Sequence, residues 1–423
     1  MLSAADADLV RRAAAIPGLA TVLDPEAFVA ALRHAAPGAD LRTARVTRVK
    51  LRPGAFCRVT YRVDVAGSEL DLDVRACGPG DLARWLAEGP SARVPGALGP
   101  GRIVLRDCAT LIMVFPNDLK LPELRHLVDA AERDRLLAEV LPDRPGLRQG
   151  QLQHLSYWPE RRFVAALRAR DGSRVLVKLY TAGGYKKGQR TATAFESAGL
   201  LRVARLLGRS DRRRLLAFEW LPGRLLADLC TAPFLDSRAF AATGAALAAL
   251  HAQGSDGLDC WTRDEEAAYV SELGEDVGFI RPDLAGRAEA LARRLAAELA
   301  GAPEMHIPVH GDFSPKQVLV GEHQAAIVDF DGACCADPAL DLGNMLAQFE
   351  LDALRGKPGV EFLREAFLEG YRLAARRSLP ERITLYSAVG LLRKSRFPFG
   401  AHLPDWPQHT QAILERAEIV SRS

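Results

Sequence analysis

The sequence predicts an α+β protein whose strands lie mainly in the N-terminal half and whose C-terminal half is helical. Two stretches, residues 41–76 and 157–180, alternate apolar with polar residues, which is the period of a half-buried strand. From Asp236 onward, apolar residues recur at the spacing of an amphipathic helix. These two periodicities divide the chain into a β-rich part and a helical part.

The N-terminal part contains further elements on either side of the first alternating stretch. Residues 4–35 predict two short amphipathic helices, and turn dipeptides at Pro53-Gly54 and Ala66-Gly67 interrupt the alternating stretch. The other elements predicted here are helices at residues 81–88 and 121–141 and strands at residues 102–107 and 110–115.

The same order of elements returns in the second alternating stretch. A hairpin closed by Asp171-Gly172 is followed by a predicted helix at residues 186–207 and a strand at residues 214–220. We interpret this recurrence as an internal duplication of a small β-rich lobe. Lys178 ends the third strand-like segment of the second copy, and the first copy carries Arg75 at that place.

The part after Asp236 reads as a succession of helices. The segment SRAFAATGAALAALHAQG has a Ser at its start and a Gly after its end, which are typical helix boundaries. Further helices are predicted at residues 263–300, 359–377, 381–396 and 407–421.

The length, net charge and cysteine content of the chain limit the classes of protein to which it can belong. With 423 residues the chain has room for two or three domains, and its net charge of +3 implies no general affinity for nucleic acid or an anionic membrane. Seven cysteines without a CxxC pair predict reduced thiols and a cytoplasmic protein. The N-terminus lacks the apolar run of a signal peptide, and no transmembrane helix is expected.

The most informative stretch is residues 309–342, where two strand-like runs, Gln317–Val320 and Ala325–Phe330, flank a short turn. Acidic groups crowded at strand ends are costly unless positive charge lies among them. Hard divalent cations take oxygen ligands from a few carboxylates and from substrate phosphates, so we expect a metal that carries phosphate. The side chains expected at the mouth of this hairpin are His310, Asp312, Gln317, Asp329 and Asp331.

Three motifs in this stretch resemble a known family. HGDFSPKQ is similar to the HxDxxxxN loop of the aminoglycoside phosphotransferase and choline kinase family, IVDFD to its metal-binding motif and DPALDL to its DPxxDL segment. The resemblance implies a bilobal protein-kinase-like fold, with Asp312 as catalytic base, His310 bracing its loop and Asp329 as magnesium ligand. Gln317 stands where the family has Asn and offers the same amide oxygen as a second metal ligand.

The resemblance also assigns a nucleotide site to the second β-rich copy. Lys178 takes the place of the lysine that holds the α- and β-phosphates of ATP or GTP, and Glu196, on the following predicted helix, is its expected ion-pair partner. The segment AFEWLPGRLL is similar to the hinge that binds the adenine edge through its backbone, which implicates Phe218, Glu219 and Leu221.

Two residues outside these motifs receive structural roles from the same resemblance. His251 matches an LxxLH helix ending that is frequent in the family, and Asp341 matches the aspartate that holds the catalytic loop through backbone hydrogen bonds. Arg393 and Lys394 lie on a late helix that could approach the acceptor.

These observations predict a small-molecule kinase with three segments. Residues 1–145 form an extra N-terminal α+β domain that resembles a degenerate kinase N-lobe, residues 146–224 the N-lobe and hinge, and residues 225–423 the helical C-lobe. The predicted reaction moves the γ-phosphoryl group of ATP or GTP, with Mg²⁺, to a hydroxyl of a sugar, aminoglycoside or amino-alcohol. The alternatives are a nucleotide-binding pseudokinase that serves as a scaffold, and a maltokinase-like sugar kinase.

Overall fold

The architecture is that of a computed structural model, which describes residues 2–88, 94–230, 236–321 and 324–423. Strands predominate in the N-terminal half and helices in the C-terminal half, so the predicted α+β class is confirmed. The chain separates into two compact units. Unit 1 comprises Met1–Ala182, Gly208–Ala217 and Pro398–Pro407, and unit 2 comprises Gly183–Leu207, Phe218–Phe397 and Gln408–Ser423. The extra N-terminal domain and the boundaries predicted at residues 145 and 224 stay predictions.

Unit 1 begins with three helices, and the two predicted over residues 4–35 were therefore too few. The extra boundary lies at Asp24, whose side chain accepts from the amides of Glu26 and Ala27 while Pro25 occupies the first helical position. The helices are α1 (Ala4–Arg12), α2 (Leu19–Leu23) and α3 (Pro25–Ala35).

A five-stranded antiparallel sheet follows, with the strand order β1-β2-β3-β5-β4. Its hairpins turn at Pro53-Gly54 and Ala66-Gly67, where Gly54 and Gly67 have positive φ angles, as predicted. The elements are β1 (Leu41–Arg52), β2 (Phe56–Val65), β3 (Ser68–Cys77), α4 (Pro79–Glu88), β4 (Arg102–Leu105) and β5 (Thr110–Val114).

A second five-stranded sheet has the order β6-β7-β8-β11-β10. In both sheets the fifth strand therefore lies between the third and the fourth, and a helix follows the third strand. The shared strand order agrees with an internal duplication, which stays a prediction. The elements from the first sheet onward are α5 (Leu124–Val128), α6 (Ala130–Ala138), α7 (Pro145–Arg148), β6 (Gln151–Trp158), β7 (Arg162–Arg168), β8 (Arg174–Tyr180), α8 (Ala182–Thr191), β9 (Leu201–Val203), β10 (Leu206–Ser210) and β11 (Leu215–Glu219).

Two helix predictions in this region were wrong in extent. The helix expected over residues 121–141 is broken at Asp129, which caps α6 through the amides of Ala131 and Glu132. The helix expected over residues 186–207 ends at Thr191, and the Leu-rich remainder forms β9 and β10. Tertiary pairing of β9 with a distant strand overrides the local helical propensity there.

The C-terminal half is helical apart from short strands. The stretch predicted as one helical region over residues 263–300 is two helices separated at Pro282, a residue that cannot continue an α-helix interior. The elements are β12 (Arg224–Leu225), α9 (Leu226–Leu229), α10 (Ser237–His251), α11 (Arg263–Ile280), α12 (Ala285–Ala300), β13 (Ile307–Val309), β14 (Val318–Val320), β15 (Ala325–Ile327), β16 (Cys334–Ala336), α13 (Ala339–Leu354), α14 (Val360–Ala375), α15 (Ile383–Lys394), α16 (Phe397–Gly400) and α17 (Trp406–Val420).

Unit 2 has one extended apolar core in which α10, α13 and α14 meet the short strands. Phe240, Phe349 and Phe367 of these helices lie within ring-to-ring distances of 5.8 and 6.2 Å, and all are buried. The strands form a four-stranded sheet of order β12-β14-β15-β9 and a two-stranded ribbon of β13 and β16. Among the helices of the described ranges, none combines the length and the apolar character needed to cross a bilayer.

Candidate active site

Two loops carry the acidic residues that the sequence singled out, and both lie in unit 2. We call residues 310–317 the HGD loop and residues 329–332 the DFDG loop. The HGD loop connects β13 to β14, and the DFDG loop connects β15 to β16. β13, which precedes the HGD loop, pairs with β16, which follows the DFDG loop. β14, which follows the HGD loop, pairs with β15, which precedes the DFDG loop. Strand pairing therefore holds the two loops side by side at both of their ends. The centre of the turn between β14 and β15, residues 322–323, lies outside the described residues.

Asp341 holds the start of the HGD loop. Its buried carboxylate accepts hydrogen bonds from the backbone amides of His310, at 2.6 Å, and Gly311, at 2.9 Å. Its Oδ2 atom also lies 3.1 Å from Nε2 of His251, whose other ring nitrogen lies 3.0 Å from the hydroxyl of Tyr371. The backbone hydrogen bonds predicted for Asp341 are therefore present, and the structural role of His251 stays a prediction.

His310 joins the two loops. Its Nε2 atom lies 3.0 Å from the carbonyl oxygen of Val328, immediately before the DFDG loop, and its Nδ1 accepts from the amide of Asp312 at 3.3 Å. The ring is fully buried and packs 5.3 Å from the ring of Phe330. The bracing contacts that were expected of His310 are therefore present.

Two glycines let the loop backbones approach closely. Gly311 has a φ of +80°, and a Cβ atom there would clash with the carbonyl oxygen of Gly332. A Cβ atom at Gly332 would lie 3.5 Å from the Cβ of Asp312. The side chain of Asp312 therefore projects from a point in contact with the DFDG loop.

Asp312 itself is accessible, with 62% of its side chain exposed. One of its carboxylate oxygens lies 3.1 Å from a guanidinium nitrogen of Arg393 on α15. Arg393 also donates to the side-chain oxygen of Asn344 at 3.0 Å, which fixes the direction of the guanidinium. The late helix therefore does reach the HGD loop.

Lys394, the neighbour of Arg393, donates to the side-chain oxygen of Gln348 at 3.0 Å. Burial lowers the pKa of Lys394 to about 8, and the positive charge of Arg393 contributes in the same direction. Lys316 of the HGD loop is a third cation here, with its amine 6.0 Å from the ring centre of Phe397. The surroundings of Asp312 are thus basic.

Asp329 and Asp331 stand at the two sides of Phe330 in the DFDG loop. Asp329 has left-handed backbone angles, with φ of 70° and ψ of 54°, which Asp tolerates better than most residues. Non-glycine residues in this region are uncommon and concentrate at functional sites, because the surrounding structure must hold them there. Both side chains are half-buried.

Gln317 ends the HGD loop. Its backbone carbonyl accepts from the amide of Val328 at 2.9 Å, and its side-chain oxygen accepts a hydrogen bond from the hydroxyl of Ser314. Its amide oxygen therefore already has a protein donor.

The donor chemistry of these loops suits a hard cation. Within the described ranges, no group of three or more His, Cys, Asp or Glu side chains is arranged to hold a metal by itself. Mg²⁺ commonly binds through one or two carboxylates together with substrate phosphates, and Asp329, Asp331 and the amide of Gln317 provide oxygens of that kind.

The predicted nucleotide residues lie on several elements. Lys178 is in β8 of unit 1, paired with Val164 of β7, and only 6% exposed. Glu196 lies after the end of α8, so its predicted helical position was wrong. It is exposed, its backbone exchanges hydrogen bonds with the side chain of Gln253, and its carboxylate has no partner among the described residues. The Lys178–Glu196 ion pair stays a prediction.

The predicted hinge, residues 217–226, begins within β11, and its residues from Phe218 onward belong to unit 2. Burial would raise the pKa of Glu219, but hydrogen bonds from Arg205 and the nearby charge of Arg202 hold it below its usual value. The Glu219 amide donates to the carbonyl of Arg205 at 2.9 Å. Leu221 is buried, and across the described chain its amide has no hydrogen-bond acceptor. Phe218 is half-buried.

Sequence reasoning did not find the contact between Arg393 and Asp312. The helix that carries Arg393 was recognised, and its approach to the acceptor was considered. No sequence signal, however, places an Arg on α15 beside a loop so far away in the chain. The distance of 3.1 Å could come only from the folded structure.

The Phosphotransferase enzyme family (APH) matches residues 160–382, slightly more than half of the chain. The match covers β7 to α14, and both loops described above lie within it. No curated protein matches the chain.

Solved structures of small-molecule kinases also match. A macrolide 2'-phosphotransferase from Brachybacterium faecium is 20% identical, with a TM-score of 0.43, over 66% of this chain and 98% of that one. A choline/ethanolamine kinase family protein from Mesorhizobium loti is 16% identical, with a TM-score of 0.47, over 70% and 96%. A thermostable mutant of aminoglycoside phosphotransferase APH(4)-Ia, in a ternary complex with ADP and hygromycin B, is 16% identical, with a TM-score of 0.45, over 64% and 93%.

The family assignment rests on the sequence match over residues 160–382, which includes the HGD and DFDG loops. It confirms the resemblance that the three motifs indicated and the protein-kinase-like fold class that goes with it. This chain belongs to the APH phosphotransferase enzyme family.

Proposed function

We propose that this protein transfers the γ-phosphoryl group of ATP to a hydroxyl of a small-molecule acceptor, with Asp312 as the catalytic base. The observation that carries the proposal is the fastening of the HGD loop to Asp341 and to the DFDG loop. Phosphoryl transfer depends mainly on positioning and on electrostatic stabilisation, so a rigid loop that presents one accessible carboxylate suits the reaction.

The predicted residues of the two loops and of β8 have separate roles in this reaction. The accessible carboxylate of Asp312 orients the acceptor hydroxyl and takes its proton. Lys178 holds the α- and β-phosphates, and Asp329 and Gln317 hold Mg²⁺. Bound Mg²⁺ supplies charge neutralisation at the phosphates. His310 and Asp341 act through the loop backbone and do not touch the substrate.

The hinge supplies the nucleotide base contacts. Leu221 is a buried residue whose amide has no acceptor in the described chain, which supports a role as donor to the base. The amide of Glu219 is already bonded to Arg205, so its carbonyl oxygen is the group left to accept a hydrogen bond. GTP is the alternative nucleotide, and the choice between the two bases depends on the backbone geometry of the hinge.

The acceptor class is a sugar, an aminoglycoside or an amino-alcohol, including the sugar of a maltokinase-like reaction. The seven cysteines are all free thiols, which supports a reducing compartment such as the cytoplasm. No nucleic acid or membrane partner is proposed.

A second function, a nucleotide-binding scaffold without transfer, is favoured by one observation. The side-chain oxygen of Gln317 accepts from Ser314, so a metal at this amide would compete with an existing hydrogen bond. Gln317→Asn introduces the family's residue and distinguishes the two functions. An active kinase keeps or increases its turnover in this variant, whereas a scaffold stays inactive.

The test of the base uses Asp312→Asn beside Glu361→Gln, an exposed carboxylate on α14. With Mg²⁺, ATP and a hydroxyl acceptor that the wild type phosphorylates, Asp312→Asn should lower kcat by about 10²- to 10⁴-fold, the usual contribution of a general base. ATP affinity should change little, because the proposed role of Asp312 is toward the acceptor. Full turnover in Asp312→Asn would rule out the proposed mechanism.

A further inference from the structure

Unit 1 contains a cavity of about 550 Å³ between the first sheet, α4 and the turn that joins β6 to β7. This volume lies within the range of small-molecule sites, about 300–1,000 Å³. None of its lining residues belongs to the HGD loop, the DFDG loop or the hinge. Seven cations line it against two carboxylates, Asp81 and Glu160, and the cations are Arg48, Lys50, Arg58, Arg75, Arg84, Lys120 and Arg161.

The two lining carboxylates already have partners. Glu160, whose side chain is 3% exposed, pairs with Arg75 and lies 2.6 Å from Arg58. Asp81 lies 2.6 Å from Arg84 on the same helix. The acidic groups therefore neutralise the cations at the base and at one side of the cavity.

The wall formed by Arg48, Lys50 and Arg161 carries positive charges that no neighbouring carboxylate of the described chain neutralises. Within the described residues, Arg48, Lys50 and Arg161 have no carboxylate partner. The guanidinium of Arg48 lies 3.3 Å from the ring centre of Trp158, and that of Arg161 lies 5.1 Å from the same ring. The guanidinium of Arg162 lies 5.7 Å from it as well, so three cations share one indole, and a bound anion would relieve their mutual repulsion.

The pKa values of Arg48 and Lys50 in this wall also reflect an excess of positive charge. Burial lowers the pKa of Arg48 to about 10, and the charges of Arg161 and Arg162 act in the same direction. Burial also lowers the pKa of Lys50, with a further contribution from Arg58. A bound anion would reverse both effects by favouring the charged forms.

The floor of the cavity combines aromatic surface with a buried donor. Trp85 and Phe56 pack edge to face with ring centres 6.1 Å apart, and the guanidinium of Arg75 lies 4.2 Å from the Trp85 ring. Arg75 is 6% exposed, and its Nε atom is buried without a hydrogen-bond partner in the described chain. The floor therefore combines two aromatic rings with a guanidinium that pairs with Glu160.

We propose that this cavity binds a small organic phosphate that carries at least two negative charges. The guanidinium and ammonium groups suit phosphate oxygens, because charge-assisted hydrogen bonds to phosphate are among the strongest that a protein makes. The aromatic floor suits the organic part of such a molecule. The site adds a second ligand to the protein and does not depend on the phosphotransfer reaction.

The test measures binding of inorganic pyrophosphate and of glucose 6-phosphate to the full chain by calorimetry, in metal-depleted buffer without a chelator so that neither a metal nor a second anion contributes. Lys50→Gln and Arg48→Gln remove cavity cations, and Arg52→Gln removes an exposed cation of β1 that does not line the cavity. Each cavity variant should weaken binding about tenfold or more, as expected for a lost charge-assisted hydrogen bond, and Arg52→Gln should bind like the wild type.

Melting temperatures without ligand separate binding from folding. Arg48→Gln should melt no lower than the wild type, because it removes a desolvated charge that neighbouring cations repel. Lys178→Met should retain pyrophosphate affinity, which would exclude the proposed nucleotide site as the place of binding. Absence of binding by the wild type, equal affinity in the cavity variants, or loss of binding in Lys178→Met would each overturn the proposal.

Discussion

Replacement of Asp341 by Asn tests whether the HGD loop is held as the structure indicates. The carboxylate accepts from the amides of His310 and Gly311 and contacts His251, and all of these groups are at or near zero exposure except Gly311. Asn has the same size but offers one acceptor oxygen and one donor group. Its NH₂ group must face at least one of these donors, so one hydrogen bond is lost. The remaining hydrogen bonds are then made to a neutral acceptor and no longer to a charged carboxylate.

The expected cost follows from the number of bonds. A hydrogen bond to a charged group contributes about 1.5–3 kcal/mol and a neutral one about 0.5–1.5 kcal/mol. Loss of one charged bond and weakening of two others therefore amounts to about 3–5 kcal/mol. At about 2–4 °C per kcal/mol for a unit of this size, the melting temperature of unit 2 should fall by about 6–20 °C.

Catalysis should fall as well, for a positional reason. Asp312 follows directly on the two amides that Asp341 holds, and a displacement of about 1 Å can lower a rate by about 10²-fold. We expect kcat, measured well below the melting temperature, to decrease far more than ATP affinity. Differential scanning fluorimetry and a coupled assay of ADP release measure the two effects.

The matched control is Glu350→Gln on the same helix. Glu350 lies 2.7 Å from Arg416, and its loss should cost less than about 1 kcal/mol with no change in kcat, as is usual for partly exposed ion pairs. If Asp341→Asn melted and turned over like this control, the proposed bracing of the HGD loop would be wrong.

Three further predictions concern single groups. The pKa of Lys394 is lowered to about 8 in the folded protein, so the unfolded chain binds this proton more tightly. The free energy of unfolding should therefore rise with pH between about 8 and the ordinary lysine pKa near 10.4. Denaturation measured across this pH range should show the rise in the wild type and not in Lys394→Met. Gly311→Ala should lower the melting temperature of the protein far more than Gly172→Ala. Both glycines have a positive φ, but only at Gly311 would an added Cβ atom clash with a neighbour. Equal decreases in melting temperature would contradict the close approach of the two loops. In native thiol titration, the exposed Cys260 should react quickly and the buried Cys334, whose pKa burial raises to about 12, only after unfolding.

Much of the fold could be predicted because local signals were strong. The turns at Pro53-Gly54, Ala66-Gly67 and Asp171-Gly172 lie where the dipeptides indicated, since glycine supplies the positive φ that such turns require. The helix that was wrongly predicted to extend over residues 186–207 shows the limit of this reasoning. Leu201–Val203 pairs in parallel with Ala325–Ile327, and no local pattern reveals a partner so distant in the chain.

The candidate site divides in the same way. The HGD and DFDG loops were predicted because their motifs are short and ordered along the chain. The contact of Arg393 with Asp312 and the basic cavity were not predicted, because their groups come from separate elements and carry no motif. The cations of the cavity lie on three strands, a helix and two connections, so only folding brings them together.

The most direct test of the central claim is a mass-spectrometric screen of hydroxyl compounds incubated with the protein, Mg²⁺ and ATP. Sugars, aminoglycosides and amino-alcohols form the panel, and Asp312→Asn protein is the parallel sample. The account predicts that at least one compound gains a phosphoryl group with the wild type and not with Asp312→Asn. ATP binding by the wild type without transfer to any member of the panel would contradict it and favour the scaffold.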